Sequence, residues 1–461
     1  MALNPTDLSN FELLSNLQGN ILKGHGREHT THIFISFIAS KVSQAKKWVK
    51  GYADETLTSA QRQLKEREVF KRNGIPGGLF SSFYLTAKGY TALGLTAPAD
   101  ASFAVGMNSP ATQAKLSDPP AAAWETGYQG AIHAMILLAH DSPEAMGTAA
   151  KTIIDDVSKF SKILHVEYGH AIRNANGDGI EHFGYVDGVS QPLFLQDEVD
   201  DFKKGKTLPL VWDPEASLSL VLVGDIAGDA TAKGSFFVFR KLEQQIRAFK
   251  EAEEKLAENL GLAVGEEERA GAMLVGRYED GTPLTLNEED GIIASGAENN
   301  FNYNSDTSGA KCPFHAHIRK SNPRGEARGA GVPAETLVNE KKHIMARRGI
   351  PFGHRDVNTV TDPSIPQSPV DGVGLLFMSY QASIGNQFEF IQQNWVNNPG
   401  FPHANDGSDP ILGQGIVSNG KFAVKYGVAG SKIAKPFNSF VTLKGGEYFF
   451  APSVKFLKAL A

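Results

Sequence analysis

Ile132-His133-Ala134-Met135-Ile136-Leu137-Leu138, a polar break, a run from Ser142 to Phe160 and the extended stretch Ile163 to Tyr168 decide the fold class. The first piece is an apolar run of strand length. Ser142 stands where an N-cap would, with Pro143 and Glu144 in the first turn, so the middle piece predicts a helix. The same succession occurs upstream. Thr31 to Ile38 is β-branched and aromatic, and Gln44 to Lys50 puts Ala45, Trp48 and Val49 on one side of a helix. Ser82 to Thr86 reads as a further strand. This rhythm, β-α-β twice over, is compatible with a split, ferredoxin-like α+β sandwich.

The second half repeats the rhythm. Leu218 to Val223 and Phe236 to Phe239 read as strands, followed by a helix from Leu242 to Leu260 whose Leu242, Ile246, Phe249, Leu256 and Leu260 form one apolar stripe. Beyond it come a strand at Val373 to Tyr380, a helical run from Gln387 to Trp395, and a hairpin, Phe440 to Phe450, turning at Gly445-Gly446. The polar stretch Gln196 to Thr207 is the expected joint, dividing the chain into residues 1–200 and 201–461. Segment 261–310, rich in Gly, Glu, Asn and Asp, reads as a surface excursion.

At roughly 150 residues per domain, 461 residues also suggest two or three domains or one doubled architecture. With 41% apolar and 21% charged residues the chain has a folding composition. A formal charge of −6 offers no positive field for a nucleic-acid backbone. The single cysteine, Cys312, excludes an intramolecular disulfide and a multi-thiolate zinc cage, and reads as an inert buried thiol in a reducing compartment. The first thirty residues lack the features of a signal peptide, and the longest apolar runs are too short to span a bilayer, so the expectation is a soluble, cytoplasmic protein.

Four segments carry residues suited to chemistry. Asn174-Ala-Asn176-Gly-Asp178-Gly179 imitates a calcium loop, but Tyr185 stands where the bidentate Glu belongs, and a tight turn is preferred. Glu181 to Pro192 sets Asp187 between Gly184 and Gly188. The glycines permit close approach to a flat ligand and the Asp can serve as an acid/base group, against the plainer reading of a turn cap. Cys312 to Arg324 combines His315 and His317 with Arg319, Lys320 and Arg324. Were it a strand, both histidines would share a face, so the segment suits either a His-x-His metal site or one histidine on a haem iron with Arg319 and Arg324 facing propionates. Ala346 to His354 offers Arg347 and Arg348, either a solvated turn or an arginine aimed at a developing anion.

Together these segments resemble the dye-decolourising peroxidase family. The matching motifs are Gly184-Tyr-Val-Asp187-Gly188, His317-Ile-Arg319-Lys320, Arg347 to Pro351, and the strand Gly374-Leu375-Leu376-Phe377-Met378-Ser379-Tyr380-Gln381. The likeness runs from Leu17-Gln-Gly-Asn-Ile-Leu-Lys-Gly24 to the C-terminal Phe440 to Phe450 and is nearest to the longer fungal and bacterial members.

The resemblance implies an α+β fold of two ferredoxin-like domains forming a dimeric α+β barrel-like architecture within one chain. It further implies one haem b, held mainly by the C-terminal domain, and the reduction of hydrogen peroxide with oxidation of dyes, phenols and other aromatic donors. His317 would be the axial iron ligand, with Asp409 as a candidate partner for its other ring nitrogen. Asp187 would carry the peroxide proton; a carboxylate of reference pKa about 3.9 suits acid conditions. Arg347 would stabilise the departing oxygen, while Arg348 would be structural. Leu375 and Phe377 would cover the distal face, so bulky dyes would need electron transfer to a surface tyrosine or tryptophan, for which Trp395 is the candidate. Phe352 departs from relatives that carry a tyrosine there. The residues alone leave two rivals: a non-catalytic haem-binding or haem-handling protein, and a haem-free metal oxygenase using His315 and His317.

Overall fold

The computed structural model describes residues 2–263, 266–291, 298–326, 335–361, 364–415, 418–430, 432–437 and 439–460. Apolar and β-branched runs form the first four strands and their two crossover helices: β1 (His29–Phe37), α1 (Val42–Glu55), β2 (Phe80–Leu85), β3 (Ala134–His140), α2 (Pro143–Val157) and β4 (Ser161–His170). Helix α2 starts as expected, with the Ser142 hydroxyl accepting the Ala145 N–H at 3.2 Å and Pro143 in the first turn. The strands pair antiparallel in the order β2-β3-β1-β4, with Ile33 opposite both Ile136 and Val166.

The second half supplies β5 (Lys233–Gln244), α3 (Ile246–Leu260), α4 (Glu268–Val275), α5 (His317–Ser321), β6 (Ile350–Phe352), β7 (Gly374–Gln381) and β8 (Val441–Ala451). Its order is β6-β7-β5-β8, again antiparallel. Counted along the chain, each half runs second-third-first-fourth, the ferredoxin-like order. The halves join twice. Phe450 of β8 pairs with Leu85 of β2, and Gly169 of β4 lies so close to β6 that a Cβ there would fall 2.5 Å from Ile350 Cγ2. The sheet therefore curls until its ends meet, a doubled α+β barrel around an aromatic interior that includes Phe34, Tyr84, Phe237, Phe239 and Phe449. Among the described residues no helix is long and apolar enough to cross a membrane.

Several local expectations are corrected. Leu218 to Val223 is not a strand: Ser217 caps a 3-10 turn, Leu218–Leu220, before the two-residue strand Val223–Gly224. Leu242 ends up in β5 rather than α3, because one apolar residue fits both periodicities. The run Gln387 to Trp395 becomes a short helical turn, Phe388–Phe390, followed by a π-helical turn, Ile391–Val396. Phe440 to Phe450 is no hairpin. Val441 to Phe450 lie in the single strand β8, where the register shifts between Leu443 and Gly445. The glycine pair answers crowding instead of a turn: a Cβ at Gly445 would sit 2.2 Å from the Tyr128 ring and one at Gly446 2.5 Å from the Phe239 carbonyl. The polar stretch after Gln196 forms a helix, Gln196–Lys203, with Val199 buried. Nor is 261–310 a mere surface excursion, since Ala270 to Leu274 of α4 and the rings of Phe301 and Tyr303 are buried.

Candidate active site

A cavity with about 1610 Å³ of empty space, counted out to its open mouth, is lined by Asp187, Arg324, Arg347, His317, Leu375 and Phe377 among others. Six residues named from the sequence thus converge on one space from well-separated segments. Each is placed by a different local device.

Asp187 rides a loop that needs its glycines. Gly184 and Gly188 have φ of 105° and 78°, and the Asp187 N–H donates to the Gly179 carbonyl at 3.0 Å. Its Oδ1 accepts the Gly188 N–H at 2.6 Å, and the side chain is exposed to the cavity. Arg347 lies in the two-residue strand Ala346–Arg347, opposite Ser379 of β7, with its backbone N–H on Gln191 Oε1 at 3.0 Å. Strand alternation turns Leu375 and Phe377 to the cavity and buries Leu376 and Met378 behind them.

His317 opens α5. Its Nδ1 lies 2.7 Å from Asp409 Oδ2, and Asp409 is itself held by the Ile411 and Leu412 N–H groups on Oδ1 at 2.7 and 3.0 Å. Burial pulls the imidazole pKa down, but the charge and hydrogen bond of Asp409 outweigh it and leave His317 above its ordinary value. With Asp409 as acceptor the ring proton belongs on Nδ1, which leaves the Nε2 lone pair for the cavity.

Three arginines give the cavity its electrical character. Arg277, Arg324 and Arg347 all line it, and among the described residues none forms an ion pair with a carboxylate. Arg324 uses its donors on the Asn299 and Phe301 carbonyls and on Ser190 Oγ, at 2.7–2.8 Å. Burial pulls its pKa down to about 9 and that of Arg277 to about 10; Arg347 is lowered by the same cause. Buried cations without anions suit a ligand that brings its own negative charge. The donor set, apolar walls and one oriented imidazole fit a haem with carboxylate side chains.

Not every expected residue arrives. Arg319 is corrected: fully buried, it pairs with Asp306 and Glu326 and donates to the Cys312 carbonyl, away from the cavity lining. The shared face expected for His315 and His317 is also absent, because His317 begins a helix while His315 packs edge-on against Phe422 at 4.7 Å. Trp395 is not at the surface. Only 4% exposed, it sits among His343, Phe390 and Phe401. Phe352 is buried beneath the Lys241 ammonium. Cys312 is buried, which pushes its thiol up to about 12, as suits an inert group. Asn174 Oδ1 accepts the N–H groups of Asn176 and Asp178, the preferred tight turn.

Sequence reading missed Arg277, which no motif marks, and Glu181, which lies just ahead of the Gly-x-x-Asp-Gly motif. Glu181 lines the cavity and accepts the N–H groups of Phe183 and Tyr185 at 2.8 and 3.1 Å, thereby folding the loop that carries Asp187. Burial, opposed by these donors and by Gln244, pushes its carboxyl up from 4.5 to about 7. A carboxyl raised on folding contributes stability that is full below its unfolded pKa and lost as pH climbs to the folded one. The melting temperature should therefore carry a Glu181 component that declines between about pH 4.5 and 7 and is missing from Glu181→Gln. Equal slopes for wild type and variant across that window would refute it.

No family model matches the chain. The chain is 46% identical over 457 residues to the multifunctional dye peroxidase DyP2 of an Amycolatopsis strain, covering 97% of this chain and 96% of that one. It is 30% identical to the dye-decolorizing peroxidase msp1 of Mycetinis scorodonius, over 97% of this chain and 87% of the relative. Among solved structures, the DyP-type peroxidase of Anabaena sp. superposes with a TM-score of 0.92 at 38% identity, covering 100% of this chain and 97% of that one.

Proposed function

Since the chain belongs to the dye-decolourising peroxidase family, we propose that this cavity binds one haem b, with His317 as axial ligand, Asp187 as proton carrier and Arg347 as charge stabiliser. The enzyme is a haem peroxidase, an oxidoreductase acting on hydrogen peroxide and on reducing substrates such as dyes. The observation that carries the residue roles is the convergence of an Asp409-oriented imidazole, a cavity-facing carboxylate and an arginine without an anionic partner on one cavity.

Bound haem would supply an iron able to take oxidising equivalents from peroxide and pass them to donors. Asp187 would take a proton from one oxygen of hydrogen peroxide and deliver it to the other, the proton transfer that peroxide cleavage requires. Arg347 would stabilise negative charge on the second oxygen, a role its permanently charged guanidinium fork suits. His317, oriented by Asp409 at 2.7 Å, would hold the iron and lend it electron density. Arg277 and Arg324 would face the carboxylates of the group as unneutralised positive charges, since the terminal nitrogens of Arg324 already donate to Asn299, Phe301 and Ser190. Leu375 and Phe377 leave room for peroxide and exclude bulky dyes, which are oxidised through the protein with Trp395 as an interior relay. The first ferredoxin-like domain is residues 1–200 and the haem-binding one 201–461, with the helix Gln196–Lys203 straddling the division. A cytoplasmic setting is supported by the lone buried thiol.

Peroxide-dependent bleaching of an anthraquinone dye by protein with a Soret band tests the whole reading. Iron without a Soret band would replace it with a haem-free metal site, and a Soret band without turnover with a haem carrier. The two neighbouring arginines separate function from structure. Arg348 donates to the carbonyls of Asn20, Ile21 and Arg347 at 2.7–2.9 Å, fastening the N-terminal segment. Arg347→Leu should slow the peroxide-driven change of the Soret band by about 10²-fold or more while melting near wild type. Arg348→Leu should chiefly lower the melting temperature, and stopped-flow rates in the reverse order would overturn the assignment.

A further inference from the structure

We propose that His29 and His170 form a surface site for one divalent transition cation of the zinc, copper or nickel class. The two residues are direct cross-strand partners in the antiparallel register of β1 and β4, so their side chains leave the same face of the sheet. Their rings stack with centroids 4.7 Å apart at 18°, and their Nδ1 atoms face each other at 3.2 Å. A tetrahedral metal with Zn–N distances of about 2.0–2.1 Å holds neighbouring ligand nitrogens about 3.3 Å apart. The chelating separation is thus already present, and the pair is open to solvent.

The surroundings narrow the ligand set. Glu28 is next in sequence to His29, but its carboxylate is engaged by Arg173 at 2.7 Å. An all-imidazole site favours borderline cations over calcium or magnesium, which need oxygen donors. His140 is the other cross-strand neighbour of His29, yet it is disqualified: its Nδ1 accepts the Ser142 N–H at 2.8 Å, so the ring proton resides on Nε2 and no lone pair remains. No third protein ligand stands within reach among the described residues, so water completes the coordination. In neutral rings one Nδ1–H hydrogen-bonds the other Nδ1. Binding moves that proton to Nε2 of the same ring through solvent, with no net change in charge on the ligands.

A tighter group, Glu125, His165 and Glu167, lies elsewhere on the first half. It already surrounds a cation, the Lys241 ammonium, at 2.9 Å from Glu125 and 2.8 Å from Glu167. No metal needs to be invoked there.

Zinc chloride titrated calorimetrically into untagged, chelator-dialysed holoenzyme tests the site. One equivalent should bind, His29→Gln and His170→Gln should each weaken it at least tenfold, and His140→Gln should leave it unchanged. Dye oxidation and the Soret band should persist in all three variants, since none of these residues lines the cavity. No zinc binding by wild type, or wild-type affinity in both single variants, overturns the proposal. Should either variant fail to fold, copper(II) bound to wild type decides: a resonance spectrum showing imidazole nitrogen couplings supports the site, and one lacking them refutes it.

Discussion

Asp187→Asn should keep its haem and lose peroxide activation by about 10²-fold or more, measured as the pre-steady-state rate at which peroxide changes the Soret spectrum. Asparagine matches the carboxylate in size and can still accept the Gly188 N–H that aspartate accepts at 2.6 Å, so the loop and its two positive-φ glycines should survive. The amide removes only the capacity to hold a proton between the two peroxide oxygens. Because Asp187 is exposed to the cavity instead of packed into the core, a large rate loss cannot be ascribed to unfolding. A near-wild-type rate would mean that Arg347 or water moves the proton and that Asp187 only positions the oxidant.

The second large effect is cofactor loss. His317→Ala should remove the axial imidazole and leave Asp409 buried against an empty space, still holding the Ile411 and Leu412 N–H groups but without its ring donor. The variant should purify with most of its Soret absorbance gone and recover little on adding hemin. His315→Ala should retain haem, because His315 packs against Phe422 and a Cβ at Gly420 would fall only 2.4 Å from its Nε2. Its cost is a packing defect and a lower melting temperature. Equal haem content in the two variants would show the ligand assignment to be wrong.

What could be read from the chain beforehand follows from how each feature is encoded. The two halves were visible because strand alternation and helix capping are local: Ser142 caps α2 through contacts three residues away. Asp187, His317, Arg347, Leu375 and Phe377 were visible because each sits in a short motif with distinctive neighbours. Arg319 is not where its charge suggests, because the segment is helical from His317 on. On a helix, residues two apart point about 200° from each other, so the rotation that turns His317 toward the cavity turns Arg319 away from it. Gly445-Gly446 resembles a turn in sequence, and only the approach of Tyr128 from the other half explains it as a bulge. Arg277 and the aromatic surroundings of Trp395 depend on segments far apart in the chain, and no local pattern announces such contacts.

The two seams of the sheet bear on how this chain comes to be folded at all. Within the first half, β2 and β4 are the outer strands, and within the second they are β6 and β8. Each is covered only when the other half arrives, through Phe450 against Leu85 and Ile350 against Gly169. During synthesis the first half emerges with two unguarded edges, the kind of surface on which chains stick to one another. On topological grounds such late, long-range closures should slow maturation and expose it to pairing with nascent copies of the same chain. Poor recovery of either half expressed by itself would be the practical sign, and co-expression of both pieces the natural remedy.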